Sequence, residues 1–425
     1  MSRTIAVLLA GLRLFLVAGA LATAGVSPAA TLTLGFSGNQ LTENPPSPGF
    51  NFGAAVDTDG SLAIVGTRLG GSGNGIGSGS AYLFNATTGT PGPELVPSDG
   101  VAGDRFGDAV ATASRNALVG ASNAHNGAGA AYLFATGTGG QVGKLVASDG
   151  ATGDRFGYAV DMYANIALIG APGDDDRGSA SGSAYVFSSD EEIHKLSPVD
   201  LTPSAQFGYA VAIDLRIAAV TSRLDDGSPL GTGSVYLFDW GRGLQLAKAT
   251  PSNAVAGDRF GESVATDGYT AVVGAPRGNG GTGAAYLFDA WTGLEKHILT
   301  PSDGAVGMNF GASVAISNGL ALVGASSAAV DGVITGAIYA YDVASGAELA
   351  KLVLFDREQG DNLGISIAYN NGTAIFGSSF DSDFGLRAGA AFLQEIVRAD
   401  IPEPSSVLIA IALVVGSAVR ARRNG

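Results

Sequence analysis

Two acidic runs are the residues of this chain best placed to do chemistry. Asp174-Asp175-Asp176 lies in one loop, and Asp225-Asp226-Gly227 lies in the equivalent loop one repeat later. Carboxylates bunched in this way could share a cation with neighbouring loops. Adjacent side chains diverge, so at most two of the first three converge. The competing reading is a solvated acidic loop. A second candidate is Gly103-Asp104-Arg105-Phe106, which recurs as Gly153-Asp154-Arg155-Phe156 and Gly257-Asp258-Arg259-Phe260. A repeated Asp-Arg pair could form a ring of ligand contacts. Its recurrence at the period of the fold favours a structural part: the Asp caps a turn and the Arg lies along a junction between units. The Ser-Asp-Gly steps at Ser98, Ser148 and Ser302 read as turns between units.

Groups for catalysis are sparse. The three histidines are His125, His194 and His297. A hydrolytic triad needs a His within reach of a nucleophile and an orienting acid, and no local signature marks one. A carboxylate pair for glycoside cleavage could be assembled from many Asp residues, but the sequence selects none. There is no phosphate-binding Walker loop, zinc spacing or dinucleotide fingerprint. The Gly-rich stretch 70–79 lacks the Lys-Ser/Thr of a phosphate loop and reads as a flexible loop. The chain is therefore expected to be no enzyme.

The elements that position these residues come from a repeat. Phe52-Gly53, Phe106-Gly107, Phe156-Gly157, Phe207-Gly208, Phe260-Gly261, Phe310-Gly311 and Leu363-Gly364 stand 54, 50, 51, 53, 50 and 53 residues apart. A fixed period of this size means one supersecondary unit copied and stacked. In the third copy, Phe156 to Met162 alternates as a half-buried strand does. Ile166 to Gly170 is apolar almost throughout and reads as a strand covered on both faces. Ser183 to Phe187 is a third strand, and Glu192 to Leu196 a more polar fourth. Seven copies of four short antiparallel strands predict an all-β, seven-bladed β-propeller. His194 and His297 then fall on outer strands. The seventh copy lacks its outer strand, and the segment 31–36 has the length and alternation to supply it. An N-terminal strand is therefore expected to complete the last blade and close the ring.

The Phe-Gly pair, a strand and then Gly170-Ala171-Pro172 or Gly274-Ala275-Pro276 resemble the FG-GAP repeats of integrin α-subunit propellers and their bacterial relatives. Gly120-Ala121-Ser122 and Gly324-Ala325-Ser326 match in part, and Val220-Thr221-Ser222 departs. The resemblance covers about residues 31–400 and implies architecture rather than activity. Family members often bind calcium in an Asp-rich loop between the first and second strands. Here those turns, such as Asp57-Thr58-Asp59-Gly60 and Asp267-Gly268-Tyr269, offer no three spaced carboxylates. They read as tight hairpins, so no calcium, and no other cofactor, is expected at them.

The two ends point to export. Residues 1–30 carry Arg3 and Arg13, an apolar core and small residues, as a secretory signal does. At the other end Pro402-Glu403-Pro404 precedes an apolar run over 407–419, followed by Arg420, Arg422 and Arg423. The run could span a membrane with its flanks, with the basic cluster kept cytoplasmic. This arrangement resembles the PEP-CTERM sorting signal of Gram-negative bacteria. The resemblance implies that a membrane-embedded exosortase recognises residues 402–404, that the transmembrane helix holds the chain before processing, and that the source makes extracellular polysaccharide. Three segments follow: a signal over 1–30, a propeller over 31–400 and a sorting signal over 401–425.

Among 425 residues, 46% are hydrophobic, 65 are Gly and none is Cys, so packing and strand pairing must hold the exported fold without disulfides. The formal charge of −15 disfavours nucleic acid and anionic lipid as partners. The expected function is a binding or adhesion scaffold at the cell surface or in the matrix. Its loops after each second strand, 70–78, 122–127, 172–181, 223–230, 276–282 and 326–334, would form the binding rim. Extracellular polysaccharide or a surface protein would be the partner. The alternatives are a propeller-type polysaccharide lyase or glycosidase, and a self-assembling structural surface protein.

Overall fold

The alternating stretch Ala159–Tyr163 pairs antiparallel with the fully buried Ile166–Ala171. That strand pairs with Ser183–Ser188, which pairs in turn with the more polar Glu191–Leu196. Apolar residues dominate the two middle strands because both of their faces are covered. The computed structural model describes residues 8–9, 12–13, 32–36, 39–42, 51–70, 75, 77–225, 231–354, 358–383, 388–398 and 411–414, and it repeats this sheet seven times. The inner strands Ala55–Thr58, Phe106–Ala113, Ala159–Tyr163, Phe207–Asp214, Ser263–Thr266, Phe310–Ser317 and Ile367–Asn370 surround a central channel. The molecule is a seven-bladed β-propeller, as the period implied.

The Phe-Gly pairs are the seams between blades. The Phe156 N–H donates to the Ala128 carbonyl of the preceding blade at 2.9 Å, and Phe106, Phe207 and Leu363 bond Ser78, Ser181 and Thr335 in the same way. Each Phe ring of these pairs is fully buried and meets two aromatic rings of its own third strand, edge-on except for the tilted Phe52–Tyr82 contact, as with Phe156 against Tyr185 at 5.4 Å and Phe187 at 5.9 Å. Blade four departs from the Gly-Ala-Pro pattern with a compensation. Thr221 stands where the others have Gly, and its hydroxyl donates to the Gly261 carbonyl of the next blade at 2.8 Å.

An N-terminal strand does complete the last blade, but it is not the expected segment. Leu32–Phe36 pairs parallel with Glu348–Leu354 as a fifth strand on blade six. Asn39–Leu41 closes blade seven, with Leu41 opposite Ala391 and Gln40 opposite Phe392. Length and alternation fit 31–36 to any free edge, so they do not choose between edges. Register chooses. Across blades one to three the outer strand places Glu94, Lys144 and Lys195 opposite the third-strand Tyr, each followed by a buried Leu. Gln40-Leu41 is the same pair of positions, and Leu41 packs with Phe52, Ala391 and Leu393 across the closing seam. On the other side of that seam the Phe52 N–H donates to the Ala388 carbonyl at 3.2 Å.

Pro402, Glu403, Pro404, Arg420, Arg422 and Arg423, expected to carry a sorting signal, lie outside the described residues, as does Asp226. Of residues 1–30, expected to form a secretory signal, only Leu8–Leu9 and Leu12–Arg13 are described, as a pair of two-residue strands. Within the apolar run over 407–419, the described residues Ile411–Val414 are extended rather than helical and pair with Glu395 to Arg398. The closing strand is three residues long and leaves that stretch of edge free to pair. No helix among the described residues is long and apolar enough to cross a membrane.

Candidate functional site

The loop between second and third strands and the turn leaving each outer strand share one rim, and their side chains interlock there. Strand register sets Lys195 opposite Tyr185. The turn leaving the previous blade brings Asp149, and the loop of the same blade brings Asp174 and Asp176. The Lys195 ammonium lies 2.6 Å from Asp149, 3.0 Å from Asp174 and 2.6 Å from Asp176. The Tyr185 hydroxyl is within reach of Asp149 at 2.9 Å and Asp174 at 3.0 Å. The three carboxylates offer oxygens within 4.8 Å of one another, and the ammonium sits among them. Asp175 points elsewhere and accepts the Ala180 N–H at 2.7 Å. Burial would raise the Asp149 carboxyl, but the hydrogen bonds from Lys195 and Tyr185 outweigh it and hold it below its ordinary range.

The arrangement recurs. Lys248 and Tyr236 hold Asp200 and the buried Asp225 in blade four, Lys144 and Tyr132 hold Asp99 in blade two, and Lys351 and Tyr339 hold Asp303 in blade six. Asp99, Asp200 and Asp303 come from the turns that leave the preceding blades, while Asp225 comes from the blade's own loop, so each cluster rivets two blades. In blade five Ile298 takes the Lys position, and Asn253 takes the Asp position and accepts from Tyr286 at 2.9 Å. Lysine and aspartate are therefore lost together. A double substitution Asn253→Asp/Ile298→Lys should be more stable than the sum of its single variants by about 0.5–1 kcal/mol, measured as a double-mutant cycle in urea. Additive singles would count against coupling in this module.

The remaining candidates are placed as turn chemistry. Asp104, Asp154 and Asp258 accept the N–H groups of Val101, Ala151 and Val255 three residues earlier. Arg105, Arg155 and Arg259 occupy left-handed backbone at φ 60°, 59° and 57°. Ser148, Ser252 and Ser302 are each gripped by a glutamate of the next outer strand, Glu192, Glu295 and Glu348. His125 neighbours Lys144 at 3.0 Å, and His297 lies 3.0 Å from the Ala344 carbonyl.

The channel is divided by a ring of apolar side chains, Val56, Val110, Val160, Val211, Val264, Val314 and Ile367, one from each inner strand. On the loop side is a cavity of about 250 Å³ bordered by Asp108, Tyr158, Tyr209 and Glu262 from four consecutive blades. The rings of Tyr158 and Tyr209 lie 5.2 Å apart at 45°. The Arg223 guanidinium, from the loop of blade four, stacks 4.1 Å above the Tyr209 ring and pairs with Glu262 at 3.4 Å. The Tyr209 hydroxyl donates to Glu262 at 3.2 Å. Burial, with the Glu262 charge adding to it, raises the Tyr209 phenol well above its ordinary value.

On the turn side is a larger cavity of about 470 Å³ lined by Asp57, Asp161, Asp214 and Asp267, with no Lys, Arg or His among its lining residues. Asp57 accepts the Thr112 N–H at 2.6 Å, and Asp161 accepts Ile213 at 2.7 Å. Burial pushes Asp57 up to about 6, and burial with the Asp57 charge raises Asp161 well above the carboxylate range. A carboxyl whose folded-state value is raised favours folding while it stays protonated. That contribution is whole below the ordinary Asp value of 3.8 and is lost as pH rises towards about 6. Thermal stability should therefore fall between about pH 4 and pH 6, and the double variant Asp57→Asn/Asp161→Asn should flatten that slope. An unchanged slope in melting scans would contradict it.

Sequence places Asp57 in a tight hairpin turn and Arg223 in a rim loop, and it does not single out Asp161, Tyr158, Tyr209 or Glu262, nor the Lys-Tyr-Asp rivets. The rivets could have been found by aligning the copies on the third-strand Tyr.

The architecture defines the class: a closed propeller whose blades meet through Phe-Gly seams and whose loops gather on one rim. Six stretches match the FG-GAP repeat model, residues 39–84, 93–134, 140–187, 191–238, 244–288 and 294–341, together more than half of the sequence, and the chain belongs to the FG-GAP repeat family. The second to sixth matches each run from the outer strand of one blade to the third strand of the next, and the first begins at Asn39, where blade seven receives its outer strand. No curated protein matches the chain.

Proposed function

We propose that the protein is an exported, non-enzymatic binding scaffold that acts in adhesion or matrix organisation at the surface of a Gram-negative cell. Its loop rim holds extracellular polysaccharide or a surface protein, and an exosortase sorts it through residues 402–425. One observation carries the reading. Loops of irregular sequence on one rim are fixed to a regular frame by charged rivets, as at Asp174 and Asp225, which is how rigid scaffolds present recognition surfaces. A lyase or glycosidase would need His125 among the channel carboxylates. It neighbours Lys144 on an outer strand and lines neither half of the channel.

Capture of polysaccharide extracted from the producing cells, or of their surface proteins, tests the binding part. Exchange of the rim loops over 122–127, 172–181 and 276–282 between blades should abolish capture, and retention would overturn the assignment to this rim. Deletion of 402–425 should shift the protein between membrane and medium fractions, and an unchanged partition would overturn the sorting part.

A further inference from the structure

We propose that the loop-side channel mouth is a binding site for one neutral, hydroxyl-rich ring, such as a terminal or branching pyranose of a polysaccharide. The inference deepens the reading of the loop rim as a binding surface and rests on it. Asp108, Tyr158 and Tyr209 follow one another on blades two, three and four around the cavity. The Asp108 side chain is only 8% exposed. One of its oxygens accepts the Ser122 hydroxyl at 2.9 Å, while the other has no hydrogen-bond donor and stands 3.6 Å from its ion-pair partner Arg68, with the Arg105 charge acting from further off. The buried Nε–H of Arg223, whose guanidinium stacks on the Tyr209 ring at the border of the cavity, has no acceptor. A buried acceptor and a buried donor left unmatched are costly. A ring that bears several hydroxyls, each both donor and acceptor, can serve the two together.

The mouth selects against charged ligands of either sign. Its cation–π position over Tyr209 is filled by Arg223 of the same chain, so a Lys or Arg from a partner would meet a like charge. An anionic sugar would meet Asp108 and Glu262 on a chain of net charge −15. What remains is the half-buried face of Tyr158, which suits the C–H face of a neutral ring. The volume, about 250 Å³, is below the range for drug-sized ligands and holds one ring rather than an oligomer.

The full chain would be titrated by calorimetry with methyl glycosides of glucose, galactose and mannose and with the matching uronates. At least one neutral glycoside is expected to bind in preference to its uronate. Tyr158→Ala and Asp108→Asn should each weaken it about tenfold or more, while Tyr158→Phe, which keeps the ring face, should bind as the parent does. Melting curves report whether each variant folds. If Tyr158→Ala does not, Asp108→Asn, which keeps the side-chain shape, decides. Preference for a uronate, failure of all three neutral glycosides, or binding indifferent to both substitutions would overturn the site. Polysaccharide capture that survives Tyr158→Ala but fails on loop exchange would remove this mouth and leave the rim reading standing. Capture that survives both would remove the rim reading as well.

Discussion

Gly157→Ala is expected to destabilise the propeller by about 2–5 kcal/mol. Two costs combine. Gly157 has φ +84°, which an L side chain tolerates at about 1–2 kcal/mol. An added Cβ would also stand 2.3 Å from the Ala130 carbonyl oxygen and 3.1 Å from its carbon. Those atoms belong to the third strand of the preceding blade, so no side chain can swing aside and the two sheets must part, at a further 1–3 kcal/mol or so. Parting also loosens the Phe156 bond to Ala128, on the same seam. Gly153 supplies the control four residues earlier. Its φ is +102°, and nothing lies within 4 Å of the position its Cβ would take. Gly153→Ala should cost about 1–2 kcal/mol, from backbone strain alone. Urea midpoints of the two variants measure the difference, since the slope is set by the surface exposed and should not change. Equal shifts would mean that close backbone approach contributes nothing to holding blades together.

The same seam explains why so much of the fold could be read in the chain. Phe-Gly is a signature of backbone geometry: only Gly fits, seven times, at one period. Blade number and strand order follow from counting it. What could not be read depends on distance in sequence or on topology. Asn39-Gln40-Leu41 is too short to show a period, and its identity lies in its match to Lys144-Leu145 and Lys195-Leu196 on the other outer strands. Asp161 sits in Val160-Asp161-Met162, where alternation assigns the polar residue to solvent. In an inner strand the outward face is a channel narrowed by seven apolar side chains, so Asp161 is neither in bulk water nor in a core. Its raised protonation is a product of ring closure. In sequence the acidic run reads as either a shared cation site or a solvated loop; in the fold Asp174 and Asp176 converge with Asp149 from the preceding blade's exit turn and with Lys195 from an outer strand. Neither partner is adjacent in sequence.

That convergence makes Lys195→Met the second substitution of large effect. In the parent protein one ammonium serves three carboxylates, of which Asp174 has a side chain 4% exposed while Asp149 and Asp176 are 42% and 58% exposed. Removing one partner of a fully buried ion pair costs about 3–5 kcal/mol, because it leaves a charge without compensation. Two of the three carboxylates here are screened by water, so the expected loss is smaller, about 2–3 kcal/mol at neutral pH. Asp154 adds to the repulsion, since burial first and then the Asp174 and Asp175 charges already raise its carboxyl. The variant should also acquire a property. Three carboxylates with oxygens within 4.8 Å of one another, freed of their ammonium, are spaced to hold a divalent cation. Millimolar calcium should restore much of the lost stability to Lys195→Met and leave the parent's melting temperature unchanged. Lys144→Met is the matched control: it leaves Asp99, 46% exposed, without the company of other acids, so the loss should stay below about 1 kcal/mol and calcium should do nothing. A calcium response in the parent, or none in Lys195→Met, would mean that the lysine does not stand in for a cation at this rivet.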